Sequence, residues 1–315
     1  MLNKLKSIGE RLPLPDTKRF KNIRTKEERF ALLMIMPSIL FLLFISTFPL
    51  LYLISLSTYR IEMSRPWVNA WIGLQNYVYM FGDARFWSSI KVTFIYTTST
   101  VILQVSIGLL LALVLSGKLA GKIRDYLRMG VLLPIIIAPV VIGLAFRTLL
   151  LTPKYGLIDY LVTLLGFGSQ SWLGNPTLAL ISVIVIHTWQ WTPFAFLIFL
   201  AALAALPIEV YEAALIDRAT AWQQFRYITL PLIRPSIVIV VILRLMVSLR
   251  AFAAIFSATG GGPGTTTEIL NLYAYRTSFN SLSLGYGAAL ATTLLLITSF
   301  VSVLLFHIRT TSYGG

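Results

Sequence analysis

The chain has 315 residues, of which 57% are hydrophobic and 12% charged, and its formal net charge is +14. A soluble domain of this length carries about 25% charged residues, so the apolar surplus exceeds what one core buries and has to face lipid. With no cysteine and only His187 and His307, far apart, a disulfide framework, an iron–sulfur site and a zinc cluster are excluded, and neither a metal nor a cofactor is expected.

The positive charge sits in short segments beside apolar runs, the positive-inside pattern of a membrane protein rather than a nucleic-acid footprint. No nucleic-acid partner is therefore expected. Six runs are long enough to cross a hydrocarbon core that takes roughly 20 helical residues; they fall at about 31–56, 88–115, 128–150, 177–202, 234–257 and 286–307. The predicted fold is an all-α integral membrane protein with six transmembrane helices. A basic segment, 1–30, precedes the 31–307 membrane domain, and a tail, 308–315, follows it.

The first run is too long for the apolar part of a signal peptide, and no small-residue cleavage pattern follows it, so it reads as a retained helix. Segment 1–30 holds nine Lys and Arg and segment 116–129 holds four, whereas 57–87, 151–176 and 258–285 hold three, one and one. This asymmetry predicts both termini in the cytoplasm of a multi-pass inner-membrane protein.

Farther along, Pro134 and Pro139 interrupt the third run and Pro193 the fourth, freeing backbone groups that need buried protein or water. Leu157, Leu161, Leu164 and Leu165 recur at helical spacing, which predicts a short amphipathic helix at the outer surface. Arg147 lies near an outer end and can snorkel. Arg244 and Arg250 lie in the fifth run, where a central charge costs about 2.5–3.5 kcal/mol, so both are expected to face the bundle interior. Gly260-Gly261-Gly262-Pro263-Gly264 reads as a tight turn; it lacks the Lys-Ser/Thr sequel and strand-to-helix setting of a phosphate cradle.

The inner segment 206–231 holds the strongest signal. It reads as two short helices between membrane spans, the first started by Glu212, Ala213 and Ala214, the second capped by Thr220 and closed by Pro231. Small residues at 213, 214 and 219 with an aromatic knob at Phe225 suit insertion into a groove on another protein. An ordinary connecting loop is the alternative on these residues alone.

Glu212-Ala213-Ala214 and Ile228-Thr229-Leu230-Pro231 match, in identity and spacing, the EAA loop of ABC-importer permeases, and the segment resembles it. The family pattern has Gly where Arg218 stands, which implies either a right-handed local backbone or strain of about 1 kcal/mol. The resemblance reaches the carbohydrate-importer branch, through Pro37-Ser38, Phe48-Pro49, Gly73-Leu74-Gln75-Asn76-Tyr77, Trp189 to Pro193, Leu206-Pro207, and Gly261-Gly262-Pro263 with Thr267. It implies a type I permease core paired with a second homologous permease subunit, two ATPase subunits inside, and an extracytoplasmic solute-binding protein. ATP hydrolysis is then the partners' work, and Glu212, Ala213, Ala214, Asp217, Arg218 and Phe225 are the implied ATPase-coupling residues.

The same resemblance implies a midway site for a carbohydrate-like solute, lined by Trp189, Gln190 and Phe194 before the coupling loop and Arg244, Ser248 and Ala251 after it, with Arg250 nearby. Aromatic faces, amides, hydroxyls and guanidinium groups suit a sugar, and 244, 248 and 251 share one helix face. Trp191 is expected to point elsewhere. Two guanidinium groups without a carboxylate imply a partner from the second permease or a negative charge on the solute; a neutral oligosaccharide or polyol and an acidic sugar both stay open. No Walker lysine motif, paired carboxylates or Ser/His/Asp set suggests an enzyme. A secondary transporter and a membrane scaffold are the rival classes; the first lacks a buried carboxylate in its helices for a coupling proton, and the second gives Arg244 no role.

Overall fold

The computed structural model describes residues 17–65, 67, 69–116 and 121–313. Residues 1–16 of the basic segment, 117–120 of the second inner segment and 314–315 of the tail lie outside them. The elements in chain order are α1 (Thr17–Ser57), β1 (Tyr59–Ile61), β2 (Asn69–Trp71), α2 (Gln75–Gly82), α3 (Ala84–Ser116), α4 (Gly121–Ile136) and α5 (Pro139–Ala145). Then follow α6 (Leu157–Leu164), α7 (Pro176–Ala204), α8 (Ile208–Ile216), α9 (Ala221–Gln224), α10 (Leu230–Ser248), α11 (Ala253–Ala258), α12 (Leu270–Tyr275) and α13 (Leu284–Tyr313). Three π-helical turns, 146–150, 225–229 and 276–280, extend α5, α9 and α12.

Residues up to Leu53 form one unit and Ile54 onward a second. In the first, α1 runs through Pro37 and Pro49 without a break, and its stretch from Phe30 to Ser57 is long and apolar enough to cross a membrane.

In the second unit, four further unbroken helical stretches qualify as spans: Ala84–Ser116, Pro176–Ala204, Ala221–Ser248 and Leu284–Leu305. The third run is a bent pair, Gly121–Ile136 and Pro139–Leu150, at 99° to each other. The predicted interruption at Pro139 lies between them, where Pro139 opens α5 as its first residue, whereas α4 continues through Pro134. Pro193 behaves differently from expectation, since α7 continues through it. Asn175 caps α7 by accepting from the backbone N–H of Thr177 and Leu178, and Pro176 occupies the first helical position. The fifth run also differs: α10 stops at Ser248, and α11 restarts only at Ala253. In the sixth, the helix carries on past 307 to Tyr313.

The α3 and α7 helices pack along their length. A Cβ at Gly108 would lie 2.7 Å from that of Ala195, so the small pair sets how closely the two backbones approach. Phe196, Phe199, Ala112 and Val240 fill the core beside that contact, and Tyr96, Val183, Ile255 and Leu272 fill another layer of the bundle.

The loops are built from the residues that punctuate them. Gly73 takes a φ of +58°, which glycine adopts without a Cβ penalty. It turns the chain so that Asn76 Nδ2 donates to the carbonyls of Ser57 and Tyr59, while the Tyr77 hydroxyl bonds Ser57 Oγ at 2.7 Å. The five-residue Gly73–Tyr77 sequence thereby clamps the β1–β2 hairpin to the end of its helix. In the glycine-rich turn, Gly260, Gly261 and Gly264 all have positive φ, and Thr267 Oγ1 donates to the Gly262 carbonyl at 2.8 Å. That turn delivers Glu268, fully buried, to Arg85 and Arg276. The predicted amphipathic helix is α6, and Leu157, Leu161, Leu164 and Leu165 are all exposed on it or at its end.

Candidate functional site

Deep among the helices of the second unit lies a polar group that the apolar runs conceal. Arg244 on α10 is 1% exposed. Its Nε donates to Gln104 Oε1 of α3 at 2.7 Å, and its Nη2 lies 3.4 Å from His187 Nε2 of α7. His187 Nε2 is in turn 3.3 Å from Ser248 Oγ. The guanidinium lies 4.7 Å from the ring centre of Trp191 and 5.8 Å from that of Phe194. A buried guanidinium needs hydrogen-bond acceptors and benefits from aromatic faces; here one chain supplies both. The implied need for a second permease or an anionic solute to neutralise Arg244 is therefore corrected, because an amide, an imidazole and two π faces accommodate the charge.

Beside this group is a cavity of about 270 Å³, lined by Tyr96, His187, Gln190, Trp191, Arg250, Ala251, Phe252 and the start of α11 among others. The unwound stretch between α10 and α11 forms one wall, and the break before α5 contributes Pro139 to another. Gln190 Nε2 donates to the carbonyl of Ile137, in that break, at 3.2 Å, so the proline-freed backbone is satisfied by protein, as such a break inside a membrane requires. Gln190 Oε1 and the Tyr96 hydroxyl are buried and have no partner within the described residues.

The sequence-derived residues distribute unevenly around this cavity. Gln190, Ala251 and Arg250 line it, while Arg244, Ser248 and Phe194 form the supporting group behind it. Arg250 is exposed, not interior, because α10 ends at Ser248 and the chain turns outward; its Nε donates to the Met246 carbonyl at 3.2 Å. Trp189 and Trp191 exchange roles relative to expectation. Trp189 is 43% exposed, packs on Phe146 and lines a different, apolar cavity with Leu103 and Pro134. Trp191 covers Arg244. Helix phase explains the exchange: 187, 191 and 194 follow each other at i, i+4 and i+7 on one face, and 189 falls nearly opposite. Gln104, His187 and Tyr96 were not anticipated. An isolated amide and an isolated imidazole within otherwise apolar runs were the available signal.

At the other functional segment, α8 spans Ile208–Ile216 behind Pro207 as N-cap. Glu212, Ala213 and Ala214 therefore sit in mid-helix and do not start it. Thr220 caps α9 with a capping box, its hydroxyl accepting from Gln223 N–H and Gln223 Oε1 accepting from Thr220 N–H. Pro231 does not close the second helix; the chain is helical from Ala221 to Ser248. The π turn is the reason. Leu230 N–H reaches back to the Phe225 carbonyl, and the widened turn relieves the clash a proline makes with the carbonyl four residues before it.

Arg218 has a φ of +54°, so the left-handed backbone of the family pattern is kept and the right-handed alternative is not adopted. Glu212, Ala213, Asp217 and Arg218 are exposed, Phe225 is half-buried, and Ala214 is buried at 8% exposure. Around them Leu215, Ile216, Trp222 and Tyr227 expose large apolar side chains. The Tyr211 hydroxyl and Thr229 Oγ1, 2.8 Å apart, tie the two arms of the hairpin together.

On the other loops, Asp159 is the hub of the segment after α5. Its carboxylate accepts from the backbone N–H of Lys154 and Gln170, from Ser169 Oγ and from Trp172 Nε1. The Gln170 N–H above all, then the Ser169 hydroxyl, hold its pKa below the usual carboxylate range, against the opposing effect of desolvation. Asp83 is also lowered. Burial works to raise it, and hydrogen bonds from Tyr273, Tyr286 and the backbone of Arg85 and Phe86 prevail.

Membrane-spanning helices with a bent pair, an unwound stretch beside a buried polar group and its cavity, and an exposed helical hairpin define the class, a polytopic membrane permease. The chain belongs to the family described as binding-protein-dependent transport system inner membrane components, which matches residues 104–310. Among its relatives, the trehalose/maltose transport system permease protein MalF of Thermococcus litoralis is 34% identical over 293 residues, 93% of this chain and 96% of that one. The sulfoquinovosyl glycerol transport system permease protein SmoG of Agrobacterium fabrum is 32% identical over 278 residues, 88% of this chain and 89% of that one. The fold is that of a chain in the crystal structure of a bacterial ABC transporter involved in the import of the acidic polysaccharide alginate. The two superpose with a TM-score of 0.79 at 23% identity, over 93% of this chain and 99% of that one. The expected type I importer-permease fold is thus the observed one, and the chain is a multi-pass importer permease.

Proposed function

We propose that this chain forms half of the transmembrane pathway for a sugar or sugar-like solute, paired with a second homologous permease. A solute-binding protein delivers the solute from outside, and two ATPase subunits dock inside. Both termini are cytoplasmic, consistent with the Lys and Arg bias of the loops. The observation that carries the solute reading is the cavity beside Arg244. It offers the Trp191 ring, the Gln190 amide and the Tyr96 hydroxyl within one enclosure, and Gln190 Oε1 and the Tyr96 hydroxyl lack a partner among the described residues. Buried polar atoms are rarely left unpaired, and a carbohydrate brings both the hydroxyls to satisfy them and the apolar ring face to meet an indole. The names of the relatives, trehalose/maltose and sulfoquinovosyl glycerol, support the same class.

An acidic sugar is the second reading, favoured by Arg250 at the cavity wall, where its guanidinium can meet a carboxylate or sulfonate in charge-assisted hydrogen bonds. The test is uptake by vesicles holding the complete importer. Gln190→Leu lowers uptake of every solute the importer carries, while Arg250→Gln lowers it selectively for an acidic one. Unchanged uptake in Gln190→Leu sinks the cavity assignment, and equal loss for neutral and acidic solutes in Arg250→Gln sinks the acidic reading. Co-purification of an ATPase subunit with this chain separates an importer half from a stand-alone transporter or a scaffold.

A further inference from the structure

We propose that the groove at the foot of the helical hairpin binds one anionic phospholipid of the inner leaflet, with its phosphate on Arg128. The groove encloses about 750 Å³ between the end of α3, α4, the end of α7 and the hairpin. Leu113, Leu200 and Leu203 give it apolar walls, while Tyr211 and Thr229 stand at the hairpin end. Among the described residues, Arg128 is the one charged residue lining it.

Arg128 carries the argument. Its Nη2 donates to the Leu115 carbonyl at 2.7 Å, which fixes the guanidinium at the groove. Its Nε is buried and has no hydrogen-bond partner among the described residues, an unusual condition for a charged donor. The Asp125 carboxylate lies 3.9 Å from Nη1 but is 65% exposed, so water screens most of its pull and it leaves Nε unsatisfied. Lys122 and Arg124 precede Arg128 on the same helix, which makes this end of α4 basic. A phosphate supplies an anionic acceptor for the Arg128 guanidinium that lines the groove, and an acyl chain supplies the apolar filling that the leucine walls require. A soluble anion meets only the first need and an apolar protein segment only the second; charge complementarity with apolar continuity selects the lipid.

The position has a consequence for transport. The Tyr211–Thr229 hydrogen bond that joins the hairpin's arms has both partners among the groove's lining residues. A lipid seated there braces the hairpin from the membrane side, while the opposite, exposed side is offered to a partner. This rests on the proposed orientation, with the hairpin inside.

The test uses the complete importer in nanodiscs of phosphatidylcholine with or without phosphatidylglycerol, released into detergent and weighed by native mass spectrometry. One phosphatidylglycerol is retained per copy of this chain. Arg128→Gln lowers that retention by at least about fivefold, the scale set by one basic side chain at an anionic surface. Arg128→Lys keeps most of it, and Arg226→Gln, an exposed arginine outside the groove lining, leaves it unchanged. Ala201→Phe fills the groove without altering charge and also lowers retention, so the proposal stays testable should Arg128→Gln fail to assemble. Equal retention of both lipids, or equal loss in Arg226→Gln and Arg128→Gln, overturns it. So does no retained lipid together with loss of the second permease in Ala201→Phe, which would make the groove a permease–permease contact. Failure here leaves the solute reading standing, because that reading is measured by uptake through the Gln190 cavity.

Discussion

Arg244 and Gln104, 140 positions apart in sequence, meet at 2.7 Å in the interior of the helical bundle, the guanidinium Nε donating to the amide oxygen. The bond joins α10 to α3, and His187 brings in α7 through its contacts with Arg244 and Ser248. Three spans thus share one polar group in an otherwise apolar core, and a group shared in this way responds asymmetrically to losing a member.

That asymmetry is the first prediction. Gln104→Leu leaves a buried cationic donor without its acceptor and destabilises the protein by about 3 kcal/mol, whereas Arg244→Met leaves only neutral groups behind and costs less. The double variant recovers part of the loss of Gln104→Leu, because it removes the orphaned charge. Thermal unfolding midpoints of the reconstituted permease read the effect. Simple additivity of the two single losses would show that the bond carries no coupling.

The coupling hairpin gives the second prediction. Ala213 is exposed on α8, whereas Ala214 is buried, so the two neighbours separate docking from folding. Ala213→Trp places an indole on the proposed ATPase-facing surface; the protein inserts and assembles at ordinary levels while uptake per ATP hydrolysed falls severalfold. Ala214→Trp instead overpacks the interior and lowers stability, by about 1–3 kcal/mol. Normal coupling in Ala213→Trp would remove the docking role from this face.

How much of this was legible beforehand depends on what kind of signal each residue leaves. The existence of the spans, the cap at Thr220 and the helical hairpin follows from apolar length and local hydrogen-bonding chemistry, but the bounds of the hairpin helices and of the fifth span do not. Side-chain facing is harder. Trp189 and Trp191 differ by two positions, and only the phase of α7 relative to His187 decides which one meets Arg244. Gln104 leaves no pattern at all, since a single amide in an apolar run has no periodic partner. The end of α10 at Ser248 was concealed by the apolar residues that follow it, Ala251 to Phe256, which continue the hydropathy across a break in the backbone.

Arg218 supplies the third prediction. A φ of +54° costs an L-residue about 1 kcal/mol relative to glycine, and the side chain is exposed, so truncation sacrifices little packing. Arg218→Gly stabilises the hairpin by about that amount, less what the freer unfolded chain takes back. Arg218→Val, β-branched at a left-handed position, destabilises it by more than 1 kcal/mol or so. Limited proteolysis between α8 and α9 reads the order Gly, then Arg, then Val from slowest to fastest cleavage. Valine cutting more slowly than the wild type would contradict the left-handed backbone.

The last prediction concerns pH. Asp159 holds the segment after α5 by accepting four hydrogen bonds, and its pKa lies below the ordinary carboxylate value of about 3.9. For a group whose folded pKa is depressed, the stabilisation is fully present above the unfolded pKa and is lost as the pH falls through the folded one. Amide exchange of residues 151–175, corrected for its intrinsic pH dependence, is therefore flat from neutrality down to about pH 5 and loses protection only below about pH 4. Asp159→Asn brings that loss to neutral pH. Its amide oxygen still accepts from Gln170 N–H and Trp172 Nε1, but its NH2 now faces the Lys154 N–H, donor against donor. The Ser169 hydroxyl can rotate to accept, so the asparagine variant loses less protection than Asp159→Ala, which forfeits all four bonds. Equal protection in Asp159→Ala and the wild type at neutral pH would remove Asp159 from the role of hub and leave the loop to its apolar packing through Trp172 and Leu173.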